Sequence, residues 1–337
     1  MKTGILKEAL IKGGADMGKT GIKEEEKAWL DTYDINQYDR PSVAADMAVF
    51  SIMGLASHTE GNGTVRKADY RKDPEKGLKL LLIRRASFPC RDCWALPGGF
   101  GRREESTKET AYRELYEETG VKDAYLQPFD IFSETGRDPR GWIISHAFLT
   151  LIDGEKYQIR GGSDAWEAQW FCIQVERQEQ ERRVEAQSAE ISSMYTMKLI
   201  CRERDALKLT AQVKERKQFV GYHEKTTYEI VEPGGLAFDH AIIILRAFLH
   251  LQGQVERGGK MVFDLMPEEF TLSELQKAYE AVLGRTLLTA NFRRKISDFV
   301  TETEHIVEGA GHRPARLFRR NLHAFYDADG GGLSRQP

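Results

Sequence analysis

The chain has only four cysteines among 337 residues, too few for a disulfide scaffold at this size; Cys172 and Cys201 read as buried or incidental thiols. Long apolar runs are missing too, since no segment approaches the roughly 18–20 consecutive apolar residues of a membrane span. The opening stretch, MKTGILKEALIKGGADMGKTGIKEEEKAW, holds no uninterrupted apolar core with a cleavage site. Neither secretion nor membrane anchoring is expected, and the cytoplasm is the default location. One-sided charge is absent as well: 49 Lys and Arg face 52 Asp and Glu, and a net charge of −3 excludes a wholly basic coat. What remains, 41% hydrophobic and 30% charged, is ordinary for a soluble protein with room for two domains.

Against this plain background, residues 99–121, GFGRREESTKETAYRELYEETGV, stand out. Glu114, Glu117 and Glu118 fall at i, i+3 and i+4, so a helix here crowds three carboxylates onto one face within its last turn. Each like-charge pair costs about 0.2–0.5 kcal/mol on an isolated helix, and the negative end of the helix dipole adds to the penalty. A bound divalent cation is the economical compensation, because hard Mg²⁺ takes oxygen ligands and leaves sites for water and phosphate. A solvated helix face is the ordinary reading of a Glu-rich helix. The helix itself is well signed: Ser106 with Glu109 makes a capping-box pattern, Ala111 and Leu115 repeat on an apolar stripe, and Gly120 supplies the stop. Upstream, Lys79 to Ile83 predicts a short strand and WALPGGF, Trp94 to Phe100, a tight loop.

Nine positions, Gly99, Glu105, Arg113, Glu114, Leu115, Glu117, Glu118, Gly120 and Val121, match Gly-x5-Glu-x7-Arg-Glu-Leu-x-Glu-Glu-x-Gly-Val without departure. This resembles the Nudix box of the Nudix hydrolase superfamily. The resemblance implies an α/β/α sandwich with a mixed sheet, and hydrolysis of a nucleoside diphosphate linked to another moiety with Mg²⁺ or Mn²⁺. Carried over by position, Glu114 and Glu118 are the principal metal ligands, Glu117 completes or shares the cluster, and a backbone carbonyl at Gly98 is a further ligand. Arg113 orients a carboxylate by pairing with Glu117 at i, i+4. Glu105 either contacts metal-bound water or stabilises the loop. The general base of related enzymes often lies on a loop before a late strand, where this chain has Gly162 to Phe171. Asp164 and Glu167 are the candidates there, although Glu167 could equally pair with an arginine and either could be ordinary loop solvation.

A second segment, SETGRDPRGWIISHAF at 133–148, resembles the Arg-Asp-Pro-Arg stretch of ADP-ribose-type Nudix enzymes and their regulatory relatives. Arg137 and Arg140 are then phosphate or ribose contacts, since a guanidinium forks onto such oxygens; Asp138-Pro139 is also a plain turn. Tyr38 to Ile52 resembles the first strand entry of the same subgroup and reads as scaffold. Cys90-Arg91-Asp92-Cys93 has no second cysteine pair at ligand spacing and no thioredoxin-like context, so neither zinc nor redox function is assigned to it.

From Cys172 the pattern changes. Glu176 to Glu185 is a charged run, and Tyr195 to Cys201 with Leu207 to Val213 predicts a hairpin, so residues 174–233 read as an insertion in a Nudix domain spanning 38–233, after a charged segment 1–37. A helix is expected from Leu236 to Leu251, with His240 either a functional residue or, as is more common on a packed helix, a satisfied structural histidine. Thr271 with Glu274 caps a helix through Leu283, Gly284 turns the chain, and a second helix from Thr289 to Val300 carries Arg293, Arg294 and Lys295. A hairpin turning at Gly309-Ala310-Gly311, with Arg313, Arg316, Arg319 and Arg320 nearby, completes a winged-helix outline within 234–325, and 326–337 is a tail. From Arg285 to Arg320 eight basic residues face four acidic ones, a local +4. A small α/β cap on the Nudix domain is the alternative. The combination is similar to Nudix-related transcriptional regulators, which sense ADP-ribose or related ligands. It implies double-stranded DNA as a partner and a homodimer on two-fold operators. Two functions follow: an ADP-ribose-type pyrophosphohydrolase and a ligand-responsive repressor of NAD or sugar metabolism.

Overall fold

The computed structural model describes residues 24–52, 58–59, 65–66, 77–122, 124–157, 159, 165–201, 207–258, 260–309 and 312–327. The chain divides into two units, 1–40 and 41–337. In the first, α1 (Glu24–Thr32) is followed by a single 3-10 turn, Ile35–Gln37, whose first turn is capped by the Asp34 side chain.

The second unit is built on a sheet of ten strands among the described residues. In chain order come β1 (Ser42–Ser51), a two-residue ribbon β2 (His58–Thr59) and β3 (Val65–Arg66), β4 (Lys79–Arg85), β5 (Trp94–Ala95) and β6 (Gly98–Phe100). Helix α2 (Thr107–Thr119) precedes β7 (Gln127–Phe132), β8 (Ile143–Leu151), β9 (Ala165–Val184), β10 (Ser188–Cys201), β11 (Leu207–Val220) and β12 (His223–Glu232). The spatial order is β12-β11-β10-β9-β4-β1-β8-β7, with β5 on β4 and β6 on β1, while among the described residues β2 and β3 pair with each other apart from this sheet. Only β1 and β8 among these neighbours run parallel, from Ser42 opposite Ile143 to Phe50 opposite Leu151, so the sheet is mixed.

Eight of the ten residues of β1 are buried, which requires cover on both faces. On one face Ala45, Met47, Val49 and Leu81 meet Ala111 and Leu115 of α2. On the other, Ala48, Phe50, Leu80 and Leu82 meet Ile243, Ile244, Ala247 and Leu251 of α3 (His240–Glu256). That gives the expected α/β/α sandwich.

The predicted hairpin is formed by β10 and β11, and residues 174–233 as a whole continue the main sheet. The charged run Glu176–Glu185 belongs mainly to the outer half of β9, and β10 to β12 extend the sheet by antiparallel pairing, Cys201 opposite Leu207 among the pairs.

After α3 the chain forms α4 (Leu272–Leu283), α5 (Thr289–Ile296), the hairpin β13 (Val300–Gly309) and β14 (His312–Arg320), and α6 (Leu322–Asp327). The second basic helix is shorter than the sequence predicts. A 3-10 turn, Ser297–Phe299, closes it, and Val300 already opens β13. Helix α4 has the predicted Thr271–Glu274 capping box and a left-handed Gly284 at its end. Phe263, Phe270, Leu275, Val282, Phe292 and Ile296 are buried in the same cluster as α3, and Gln252 of α3 donates to the Val282 carbonyl at 3.1 Å. The winged helix and the sandwich therefore share one core through α3. No helix among the described residues is long and apolar enough to cross a membrane.

Candidate functional site

Helix α2 begins at Ser106 with both bonds of the capping box formed, and ends at Gly120 with φ 76°, a conformation open to glycine at no steric cost. These caps fix where the last turn falls, and hence where Glu114, Glu117 and Glu118 point. All three line a cleft of about 430 Å³ together with Gly98, Gly99, Arg85, Arg137, Arg140 and Phe238. Glu118 is 6% exposed and accepts from the Gly98 amide at 2.8 Å. A Cβ on Gly99 would lie 2.4 Å from Glu114 Oε1, so glycine is what lets β6 pass this close to the carboxylate.

The charge balance differs from the sequence argument. Arg113 lies among the acids: it forks onto Glu105 at 2.7 and 2.9 Å, reaches Glu114 at 2.5 Å and Glu117 at 3.3 Å, and donates to the Phe100 carbonyl at 3.1 Å. A guanidinium, not only a metal ion, offsets the repulsion, and no three acidic, histidine or cysteine side chains among the described residues are already drawn around one point. The hard-oxygen donor set and the glycine cradle nevertheless fit a divalent cation. Glu105 is engaged inside the protein, accepting also from Thr110 Oγ1 and the Arg102 amide, which corresponds to the loop-stabilising alternative.

Those contacts, the Arg113 hydrogen bonds foremost, hold the Glu105 carboxyl at about 2, against 4.5 for a free glutamate. A carboxyl whose folded value is depressed contributes stability above its unfolded value and loses it as the pH falls through the folded one. The stability advantage of wild type over Glu105→Gln should therefore be full at pH 6 and shrink between about 4.5 and 2. Urea midpoints at pH 6 and pH 3 check this; a constant difference would contradict it.

Across the cleft, Arg137 is 6% exposed on its side chain and forks onto Asp239 at 2.7 and 2.8 Å, with a third bond to Ser145 Oγ at 2.8 Å. These three donors face protein, so Arg137 clamps the loop after β7 to the N-terminus of α3. Arg140 pairs with Asp138 at 2.7 Å and lies between two rings, 4.8 Å from the Phe100 centroid and 5.0 Å from that of Phe238. Phe238 has φ 50°, a strained value for a bulky residue, and also carries Arg85 at 4.9 Å.

Arg85 is a residue the sequence pattern did not single out. Its one side-chain hydrogen bond among the described residues is from Nε to the Pro89 carbonyl at 3.1 Å, which leaves the rest of the fork facing the cleft. Burial and the neighbouring Arg140 lower its pKa, the mark of a cation held partly out of water. Asp46 and His240 also line the cleft. A lone acid inside the apolar run SVAADMAVF was the available signal for Asp46, in a strand read as scaffold. His240 accepts from the Leu96 amide on Nδ1 at 2.9 Å, so its proton sits on Nε2, and burial lowers its pKa.

The remaining expected residues fall elsewhere. Asp164 lies outside the described residues. Glu167 sits opposite Arg84 in the β4–β9 pairing and outside the cleft lining. Cys90 and Cys93 are free thiols, and burial raises the pKa of Cys93. In the winged helix, Arg293, Arg294 and Lys295 are exposed on the last turn of α5, with no ion pair among the described residues. Arg316 instead pairs with Glu302 at 2.5 Å across the hairpin, Arg319 with Glu269 at 2.8 Å and Arg320 with Asp264 at 2.7 Å. Arg313 lies on β14, and the turn residues Ala310 and Gly311 fall outside the described residues.

A carboxylate-tipped helix facing an arginine and aromatic wall on a mixed α/β/α sheet defines a Nudix domain, and residues 70–192 match the NUDIX domain model. Residues 262–320 match the NrtR DNA-binding winged helix domain, so the chain joins a Nudix domain to a winged helix of the NrtR type. It is 29% identical over 298 residues to the ADPR responsive transcriptional repressor NtrR of Acinetobacter baylyi, covering 87% of this chain and 88% of that one. It is 43% identical over 100 residues to the ADP-ribose pyrophosphatase of Methanocaldococcus jannaschii, covering 29% of this chain and 57% of that enzyme. The crystal structure of a MutT/nudix family protein from Enterococcus faecalis shares the fold with TM-score 0.57 and 24% identity, covering 89% of this chain and 93% of that one.

Proposed function

We propose that the protein is a Mg²⁺-assisted hydrolase of ADP-ribose or a related nucleoside diphosphate derivative, fused to a winged helix that binds double-stranded DNA. The observation that carries this is the two-sided cleft: Glu114, Glu117 and Glu118 on one wall, Arg85, Arg140 and two phenylalanine rings on the other. A diphosphate between such walls has a cation-binding side and an arginine side. Glu114, Glu117, Glu118 and the Gly98 carbonyl would hold Mg²⁺ or Mn²⁺, which when bound neutralises phosphate charge and lowers the pKa of a coordinated water. Arg113 keeps the Glu114 carboxylate in place, Gly98 holds Glu118, and Arg85 forks onto phosphate oxygens. Arg140, stacked between Phe100 and Phe238, closes the arginine side, and the Arg137–Asp239 clamp holds this wall against α3.

A second reading, a repressor released by ADP-ribose with little turnover, is favoured by the similarity to the Acinetobacter repressor over nearly its whole length. The two readings are compatible, since hydrolysis would end the signal that the fold senses. Operator binding on a two-fold site would be as a homodimer. Purified protein with Mg²⁺ should split ADP-ribose into AMP and ribose 5-phosphate, followed by chromatography, and chelation should stop it. No product with either metal would remove the hydrolase reading. A gel shift on upstream DNA that ADP-ribose releases would then establish the repressor.

A further inference from the structure

Asp46 is 6% exposed in the middle of β1, flanked along the strand by Ala45 and Met47, and no described protein group donates to its Oδ2. Its Oδ1 lies 3.9 Å from His240 Nε2, beyond direct hydrogen-bond reach, and the backbone of Gly98 comes so close that a Cβ there would sit 2.7 Å from it. The side chain faces the same cleft as Glu118 and Arg137. A carboxylate only accepts, and burying one without a donor is costly, so a residue kept in this state is suited to a donor that arrives with a ligand. Phosphate oxygens supply no such donor. The hydroxyls of a sugar do, and the two oxygens of one carboxylate match a vicinal pair of them.

Resting on the nucleoside diphosphate reading above, we infer that Asp46 is the hydroxyl-reading residue of the cleft: it accepts from a ribose hydroxyl and makes the site specific for ribosyl ligands. Glu118 is turned toward the Gly98 amide on the cation side, whereas Asp46 sits on β1 beside α3, so the two carboxylates have different tasks. His240, with its proton on Nε2, stands 3.9 Å from Asp46 Oδ1, too far to donate to it, so the carboxylate is left open to a donor from the ligand.

The test uses the full chain, with binding measured by calorimetry in EDTA so that no turnover occurs. Asp46→Asn keeps the shape of the side chain and removes its charge. Its affinity for ADP-ribose should fall about 10- to 100-fold, the scale of a lost hydrogen bond to a charged group. Without ligand its melting temperature should be equal to or above that of wild type, because a buried acceptor lacking a donor is relieved. Equal weakening toward ADP would place the hydroxyl on the nucleoside ribose, and unchanged ADP affinity would place it on the second sugar; both support the inference. Unchanged ADP-ribose affinity overturns it. So does a loss that appears only when Mg²⁺ is present, which makes Asp46 a metal ligand, or a ligand-free melting temperature several degrees lower, which makes it a structural residue. Wild-type protein that binds neither nucleotide removes the reading under Proposed function and this one with it, whereas intact wild-type binding unaffected by Asp46→Asn removes this one alone.

Discussion

Glu118→Gln should lower Mg²⁺-dependent cleavage of ADP-ribose by about 10²–10³-fold or more, the range for deleting one positioned electrostatic group from an active site. The fold should survive. Glu118 is 6% exposed and its Oε2 takes the Gly98 amide at 2.8 Å, a bond that the amide oxygen of glutamine can keep. What glutamine cannot keep is the charge, and a hard divalent ion held by carboxylates loses a principal ligand. Thermal melts separate the two effects. Metal that binds only the folded state raises the wild-type melting temperature in proportion to RT ln(1 + [L]/Kd), and this increment should vanish in the variant while the metal-free melting temperature stays put. Unchanged turnover in Glu118→Gln would remove Glu118 from the metal site. A collapse of the metal-free melting temperature would show that the Gly98 contact needs the charge, and that the carboxylate is there for the turn.

The box was legible because its determinants are local. The capping box at Ser106, the apolar stripe of Ala111 and Leu115, and the left-handed Gly120 all act within one helix, and together they set the register of its last turn. The same holds for Thr271 and Gly284 around α4. What stayed hidden is what depends on partners far along the chain. Arg137 lines the cleft as expected, but its hold on Asp239, 102 residues away, is a clamp that spacing does not reveal. Asp46 meets His240 only because β1 and α3 pack together, and neither neighbourhood is encoded in spacing. The run Glu176–Glu185 looked like a break in pattern because the outer half of β9 is largely exposed, and there a strand loses the alternation that betrays it. Arg113 illustrates a third kind of miss. Its i, i+4 pairing with Glu117 was foreseeable, yet its stronger fork is to Glu105, eight residues back and ahead of the helix cap.

The second large effect should come from the winged helix. Replacing Arg293, Arg294 and Lys295 together by alanine should abolish a salt-sensitive shift of duplex DNA from the protein's own upstream region. If each side chain meets one phosphate, the slope of log affinity against log salt should become shallower by about 2–3, since each neutralised phosphate contributes about 0.9. The choice of these three follows from their surroundings. They are exposed on α5, where Phe292 and Ile296 anchor the helix by packing inward, and they show no ion pair among the described residues. Near a helix C-terminus cations are also favoured by the dipole, so alanine there costs the fold little beyond that small contribution. The wing differs. Arg316, Arg319 and Arg320 already hold Glu302, Glu269 and Asp264, so binding phosphate would require each to exchange one anion for another. Arg316→Ala should accordingly change the slope by less than one unit, measured by fluorescence anisotropy across a salt series. If the triple variant keeps the wild-type slope while Arg316→Ala flattens it, the hairpin and not α5 grips the backbone. If neither moves it, the winged helix contacts something other than DNA phosphate.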